Sequence, residues 1–289
     1  MTSPHTLLNA WDLRARKEFG QNFLKDPAIA ARIAEGAHIA NTHTVLEIGA
    51  GLGVLTTAAA RLAGKVLAVE KDRHLIPLLR AELLAQGITN VEIIEHDILR
   101  LSLEQLVPPG SEPLIVLGNL PYNISSQVVV KMVEHRRLIR RAVLMFQKEL
   151  AQRLCAGPGS RTYGRLSVLL QYCADLTLLR DIPASQFFPK PKVDSAVLRI
   201  DFKSAIAKAV ADEKLFVRVI QAAFGQRRKT MRNALSGGLL PLDNQAATDL
   251  LTESGIDPQR RAETLSVNEF VTLTNNVAQF LAPPESDKK

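Results

Sequence analysis

Between residues 44 and 147 short apolar runs alternate with helix-compatible stretches, and few folds satisfy that alternation. The runs are Thr44–Ile48, Lys65–Glu70, Val91–Glu95, Leu114–Gly118 and Ala142–Gln147, and helical patterns lie near Val54–Leu62, Asp72–Gln86 and Ser125–His135. Short apolar strands separated by helices predict a parallel sheet buried on both faces. Two more strand candidates follow, Leu176–Ile182 and Ala196–Phe202. The Pro183–Pro191 loop between them is too short for a crossover helix, so that pair should be antiparallel. The sum is an α/β fold with a Rossmann-like, seven-stranded sheet.

The flanks differ. Residues 1–25 read as an irregular basic arm carrying Arg14, Arg16, Lys17 and Lys25, and Asp26-Pro27 reads as a helix start. After about residue 205 the strand pattern stops, and Asp212–Phe224, Gln245–Ser254 and Val267–Phe280 read as helices, with a further helix start at Asp257-Pro258. The expected division is therefore 1–204 for the sheet domain and 205–289 for a smaller all-α domain, its tail at Pro283–Lys289 frayed.

Composition excludes several classes. No apolar run approaches the ~20 residues of a membrane helix, and the start at Met1–Thr6 lacks the pattern of a signal peptide. Cys155 and Cys173 are too few for a disulfide scaffold, and they read as reduced, buried thiols of a cytoplasmic protein. The six histidines have no ligand spacing, so no metal is expected. The net charge of +7 is modest, and its meaning depends on where the charges fall.

The first predicted strand runs into Gly49-Ala50-Gly51-Leu52-Gly53 and then a helix. Glycine lets a backbone turn sharply and approach a ligand, here at the carboxyl end of a parallel strand. Glu47 precedes the turn, where a phosphate-binding loop would avoid a carboxylate, and no Gly-Lys-Ser/Thr follows. A carboxylate here suits a cationic ligand, and the methionine part of S-adenosylmethionine carries an ammonium and a sulfonium. Glu70 ends the next strand, placed to accept from ribose hydroxyls. Asp97 ends the third, placed to accept from an adenine amine. Each of these two carboxylates alone also suits an ordinary helix start. On successive strand ends, with the glycine turn, they describe an adenosine-containing cofactor across the strand tips.

The fourth strand ends in Asn119-Leu120-Pro121-Tyr122. A purine's exocyclic amine is a poor nucleophile because its lone pair is delocalised into the ring. The Asn119 side-chain oxygen and the Leu120 carbonyl supply two acceptors that draw the nitrogen toward tetrahedral geometry. Pro121 fixes the loop without adding an N–H, and Tyr122 offers a stacking face. Between the last two strands, Phe187-Phe188-Pro189-Lys190-Pro191-Lys192 offers an aromatic for the second face of that base and two lysines for phosphates. A proline-stiffened hairpin with a core Phe remains the alternative. In the helical part, Arg227, Arg228, Lys229 and Arg232 form a cationic cluster without interspersed carboxylates, suited to phosphates or to a solvated helix face.

With these pieces in order, the chain resembles the ribosomal RNA adenine dimethyltransferases, most closely their small-subunit branch. Six blocks carry the resemblance: Phe19-Gly20-Gln21-Asn22-Phe23-Leu24, Leu46 through Gly53, Val69-Glu70, Asn119-Leu120-Pro121-Tyr122, Phe187 through Ser195, and Phe224-Gly225-Gln226-Arg227-Arg228-Lys229. They span about residues 19–235. The departures are small: Ala50 stands where the family often has Pro, and Glu18 where a basic or small residue is commoner.

The resemblance implies a class I methyltransferase sheet that uses S-adenosylmethionine, with a helical domain that binds RNA. It implies that Asn22 and Leu24 contact the cofactor, and that Glu47, Gly49 and Gly51 form the seat of its methionine part. Glu70 would lie at the ribose, Asp97 at the adenine, and Asn119 at both cofactor and target amine. Tyr122 and Phe187 would sandwich the target adenine, Phe188 being the less constrained neighbour. The implied product is N6,N6-dimethyladenosine at two adjacent adenosines near the 3′ end of 16S rRNA, made by a monomeric, cytoplasmic enzyme in ribosome biogenesis. A large-subunit rRNA methyltransferase and a non-catalytic RNA-binding assembly factor are the readings to be told apart from it.

Overall fold

A computed structural model of the chain describes residues 3–226 and 228–282. The first half runs α1 (Pro4–Ala10), β1 (Phe23–Leu24), α2 (Pro27–Gly36), β2 (Thr44–Ile48), α3 (Val54–Ala60), β3 (Lys65–Glu70), α4 (Ile76–Ala85), β4 (Val91–Glu95), β5 (Leu114–Asn119), α5 (Ser125–Glu134) and β6 (Ile139–Gln147). The second runs α6 (Lys148–Cys155), α7 (Arg165–Cys173), β7 (Ala174–Ile182), β8 (Phe187–Phe188), β9 (Ser195–Phe202), α8 (Glu213–Gly225), α9 (Met231–Leu235), α10 (Asn244–Glu253) and α11 (Val267–Leu281).

Seven strands form one sheet in the order β4-β3-β2-β5-β6-β9-β7. The first five pair in parallel, while β9 runs antiparallel to both β6 and β7. The central strands carry unbroken apolar runs because helices cover both faces: Val45, Leu46, Val116 and Leu117 are fully buried. Edge strand β4 instead exposes Glu92 and Glu95, charges that discourage pairing with another chain. The chain order reverses between β2 and β5, so their carboxyl ends open a crevice at a topological switch point. This is the class I methyltransferase sheet.

Three expectations need correction. The arm is not irregular throughout: Pro4–Ala10 is helical with Ser3 as its cap, and Phe23–Leu24 pairs antiparallel with Phe187–Phe188, while the chain between them is turns and one short 3-10 segment at Lys17–Phe19. Asp257-Pro258 starts only a turn, in which Asp257 accepts from the Gln259 N–H at 2.8 Å, and the next α-helix begins at Val267 behind a Ser266–Glu269 capping box. Helices α6 and α7 stand where the sequence reading placed nothing. Asp26 does cap α2, accepting from the Ala28 N–H at 2.8 Å.

The chain divides into two compact units, with boundaries at Ala151/Gln152, Tyr172/Cys173 and Ser204/Ala205. The sheet belongs to the first. Residues 152–172 group with the C-terminal helices rather than with the sheet, for a packing reason. Tyr172 packs against Phe216 with ring centroids 4.6 Å apart and accepts the Val210 N–H at 3.1 Å, and Tyr163 meets Phe224 edge-on at 6.1 Å. Phe224 in turn stacks on Phe270. Cys155 and Cys173 form no disulfide; Cys173 is buried as expected, whereas Cys155 is only half-buried. Among the described residues, no helix is long and apolar enough to cross a membrane.

Strand β8 alternates its side chains: Phe187 points into the core with Leu24, Ile182 and Val197, 2% exposed, while Phe188 is half-buried. Phe187→Ala should therefore cost ~3–5 kcal/mol of stability in urea denaturation. A loss under about 1 kcal/mol would remove Phe187 from the core.

Candidate functional site

The tips of β2, β3 and β5 and the arm at residues 18–24 line one cavity, which encloses about 1190 Å3 of empty space with its open mouth included. Its floor is the glycine turn after β2. Gly49 and Gly51 have φ of +76° and +56°, in the left-handed region. A Cβ on Gly51 would stand 3.2 Å from the Phe23 ring, so the turn has no room for a side chain there. The Gly49 N–H donates to the Val69 carbonyl at 2.9 Å, tying the turn to β3.

Two carboxylates are buried under this turn. Glu70 accepts the Gly51 N–H on Oε2 and the Asp72 N–H on Oε1, both at 2.8 Å. Burial raises its pKa, and those backbone donors oppose the shift. Expected at the ribose, Glu70 is thus already engaged by the backbone, though each carboxylate oxygen keeps a second lone pair. Glu47 is 1% exposed. Its Oε2 meets no hydrogen-bond partner among the described residues. Burial, above all, pushes its pKa up to about 8; the nearby Thr56 draws it down and the Glu70 charge adds to the rise. A buried acceptor with nothing to accept from is costly, and a cationic ligand in the cavity answers it.

Asp97 also lines the cavity, and both its oxygens have partners. Oδ1 accepts the Leu99 N–H and Oδ2 the Lys71 ammonium, each at 2.9 Å. Burial alone would raise its pKa, but Lys71 and the Leu99 N–H outweigh it and hold the carboxyl below its ordinary value. Lys71 was not singled out in the sequence; a lysine directly after a strand-end carboxylate is the signal that marks it.

At the tip of β5, Asn119 donates from Nδ2 to the Asn22 carbonyl at 2.7 Å. Among the described residues nothing is bonded to Asn119 Oδ1 or to the Leu120 carbonyl, whereas the Pro121 carbonyl accepts from Ile124 N–H and Ser125 Oγ. Tyr122 is half-buried and its hydroxyl is 2.9 Å from Ser195 Oγ, on a serine that is wholly buried. Burial raises the Tyr122 pKa, so the phenol stays protonated at neutral pH.

The structure gathers Asn22, Leu24, Glu47, Gly49, Gly51, Glu70, Asp97, Asn119, Leu120 and Tyr122 around this cavity. It does not bring Phe187 there, because the strand alternation of β8 turns that ring into the core. Phe188 instead meets His5 edge-on, with centroids 5.2 Å apart. Lys190 and Lys192 are exposed on the loop before β9. In the second unit Arg228 and Lys229 are exposed, Arg232 is half-buried beside Asn233, and Arg227 lies outside the described residues.

A family model described as ribosomal RNA adenine dimethylase matches residues 12–279. The chain is 51% identical over 275 residues to ribosomal RNA small subunit methyltransferase A of Desulforapulum autotrophicum, covering 95% of this chain and 96% of the relative. It is 46% identical over 266 residues to the protein of the same name from Geobacter sulfurreducens, covering 92% and 96%. Among solved structures, a dimethyladenosine transferase from Plasmodium falciparum aligns with a TM-score of 0.74 at 28% identity, over 87% of this chain and 95% of that one. The 23S rRNA methyltransferase ErmE aligns with a TM-score of 0.68 at 26% identity, over 89% of this chain and all of its own.

Glu47 gives a pH signature. With a folded pKa of about 8, it keeps a proton in the ligand-free folded chain that the unfolded chain has already lost. Stability therefore falls as pH rises from the ordinary carboxylate range, ~4.3 in an unfolded chain, to the folded value. Urea midpoints across that window should show Glu47→Gln gaining on wild type as pH rises. Parallel curves would mean that Glu47 titrates normally.

Proposed function

The chain belongs to the ribosomal RNA adenine dimethylase family, and we propose that it dimethylates the N6 amines of two adjacent adenosines in a loop near the 3′ end of 16S rRNA, with S-adenosylmethionine as methyl donor. It is an rRNA adenine dimethyltransferase. One observation carries the chemistry: Asn119 Oδ1 and the Leu120 carbonyl are two open acceptors beside Tyr122, on the wall of the cavity that holds Glu47. The small-subunit target is supported by the relatives at 46–51% identity, against 26% for ErmE.

The residues fit this cofactor. The unpartnered oxygen of Glu47 suits its ammonium group. Gly49 and Gly51 let the backbone lie close to its methionine part, with Asn22 and Leu24 closing over from the arm. The second lone pairs of Glu70 suit ribose hydroxyls, and Asp97 an adenine amine. When bound, S-adenosylmethionine supplies an electrophilic methyl group whose departing sulfur takes the bonding electron pair.

The chain's own part is positioning. Asn119 Oδ1 and the Leu120 carbonyl accept the two N–H bonds of the target amine and draw its lone pair out of the ring. Tyr122 stacks on the base, and Ser195 holds its hydroxyl. Once the nitrogen is methylated it is acidic enough to lose its extra proton to water, so no side-chain base is needed. We take the enzyme to work as a monomer on ribosomes in the cytoplasm. Lys190, Lys192, Arg228 and Lys229 supply phosphate contacts, with Arg227 and Arg232 alongside in sequence, and the helical unit acts as the RNA-binding part.

Labelled S-adenosylmethionine and small subunits from cells lacking the modification test this. Label is expected on 16S rRNA as N6,N6-dimethyladenosine; label on large-subunit rRNA alone, or binding without transfer, would overturn it. Asn119→Ala should keep RNA binding and lose ~100-fold or more in single-turnover transfer; an unchanged rate would contradict the role of its oxygen. Replacing Arg228 and Lys229 by Ala should weaken subunit binding and flatten its salt dependence by roughly one unit per cation. An unaltered slope would mean that those cations face solvent.

A further inference from the structure

We propose that Asp72 is a positioning residue for methyl transfer: by holding Gln21 it fixes the Asn22 carbonyl, and that carbonyl decides which end of the Asn119 amide faces the reacting amine. The inference rests on the function proposed above and extends it to a residue that does not line the cavity.

A side-chain amide has a donor end and an acceptor end of nearly the same shape. Only the oxygen accepts from an adenine amine, and the NH2 end in its place would set donor against donor. The fold resolves this by occupying the nitrogen: Asn119 Nδ2 donates to the Asn22 carbonyl at 2.7 Å, which leaves Oδ1 on the other side. The two residues are 97 positions apart, so the orientation is only as good as the anchoring of the arm that carries Asn22.

The β1–β8 ladder holds the residues after Asn22, and Asp72 anchors the side before it. Asp72 is 3% exposed. Its Oδ2 accepts Gln21 Nε2 at 2.8 Å, next to Asn22 in the chain. Its Oδ1 accepts the His74 N–H at 3.1 Å and lies 3.5 Å from Arg16 Nη1. Its own N–H donates to Glu70 at 2.8 Å, so the anchor is fixed to the tip of β3. Gln21 Oε1 accepts the Arg16 N–H at 2.8 Å, which sets the polarity of the Gln21 amide and aims its NH2 at Asp72. Two hydrogen bonds of fixed direction, joined by the backbone between Gln21 and Asn22, thus link Asp72 to Asn119.

Asp72→Asn keeps shape and backbone contacts but cannot satisfy Gln21 and His74 together. Adding Gln21→Glu restores a hydrogen bond of reversed polarity, since the amide NH2 introduced by the first substitution then donates to the carboxylate introduced by the second. Single-turnover transfer to unmodified small subunits, at saturating cofactor and RNA, is measured for both variants, with cofactor affinity measured by calorimetry. The expected result is a loss of about tenfold or more for Asp72→Asn, recovery to within about threefold in the double variant, and a cofactor affinity changed by less than about threefold. In an Asn119→Ala background, Asp72→Asn should cost nothing further. A rate unchanged in Asp72→Asn, no recovery in the double variant, or an undiminished further loss in the Asn119→Ala background would each overturn the proposal. Failure of the wild-type protein to methylate any rRNA would instead overturn the function on which it rests.

Discussion

The two carboxylates buried side by side at the tips of β2 and β3 are the constraint around which the site is organised. Glu70 spends its charge internally, accepting the N–H of Gly51 and of Asp72, and so pins the glycine turn to the neighbouring strand. Glu47 has no such outlet, and its Oε2 meets no hydrogen-bond partner among the described residues. Burying a carboxyl this way costs free energy that the apolar strands around it must offset. An unpartnered buried carboxyl of this kind suits a cationic ligand.

The arm is brought to the cavity by long-range pairing. Phe23 and Leu24 reach Phe187 and Phe188 through the two-stranded β1–β8 ladder, and Asn22 reaches Asn119 through one hydrogen bond. The arm is therefore a wall of the cavity. Phe19 also lines the cavity, with Arg16 4.8 Å and Lys71 5.7 Å from its ring centroid. Lys71 belongs equally to the ion pair with Asp97, so one side of the cavity is closed by a linked set of charges and a ring. Within the helical unit the aromatic rings pack as Tyr163–Phe224–Phe270 and as the pair Tyr172–Phe216.

The sheet was legible in the sequence because its signals are local. The bounds of β2, β3 and β4 follow the apolar runs, and the glycine turn, Glu70, Asp97 and Asn119 announce themselves at strand ends. What the sequence withheld depends on contacts between distant residues. The arm reads as irregular because α1 is short and β1 has only two residues, both defined by a partner far along the chain. Helices α6 and α7 escaped because the β pattern on either side drew the reading past them. Phe187 matched a family position for base stacking, but a two-residue strand shows only one side chain to each face, and here the core takes that ring. Asp72 looked like the start of a helix; instead it accepts from the arm, and α4 begins at Ile76.

The central proposal is that Glu47 serves as the counter-charge for a cationic cofactor. Its most direct test is calorimetry of S-adenosylmethionine binding near neutral pH in buffers of different ionisation enthalpy. A carboxyl with a pKa of about 8 before binding must give up its proton to face an ammonium, so the account expects release of close to one proton per cofactor, absent in Glu47→Gln. Binding with no net proton release in the wild-type protein would contradict it.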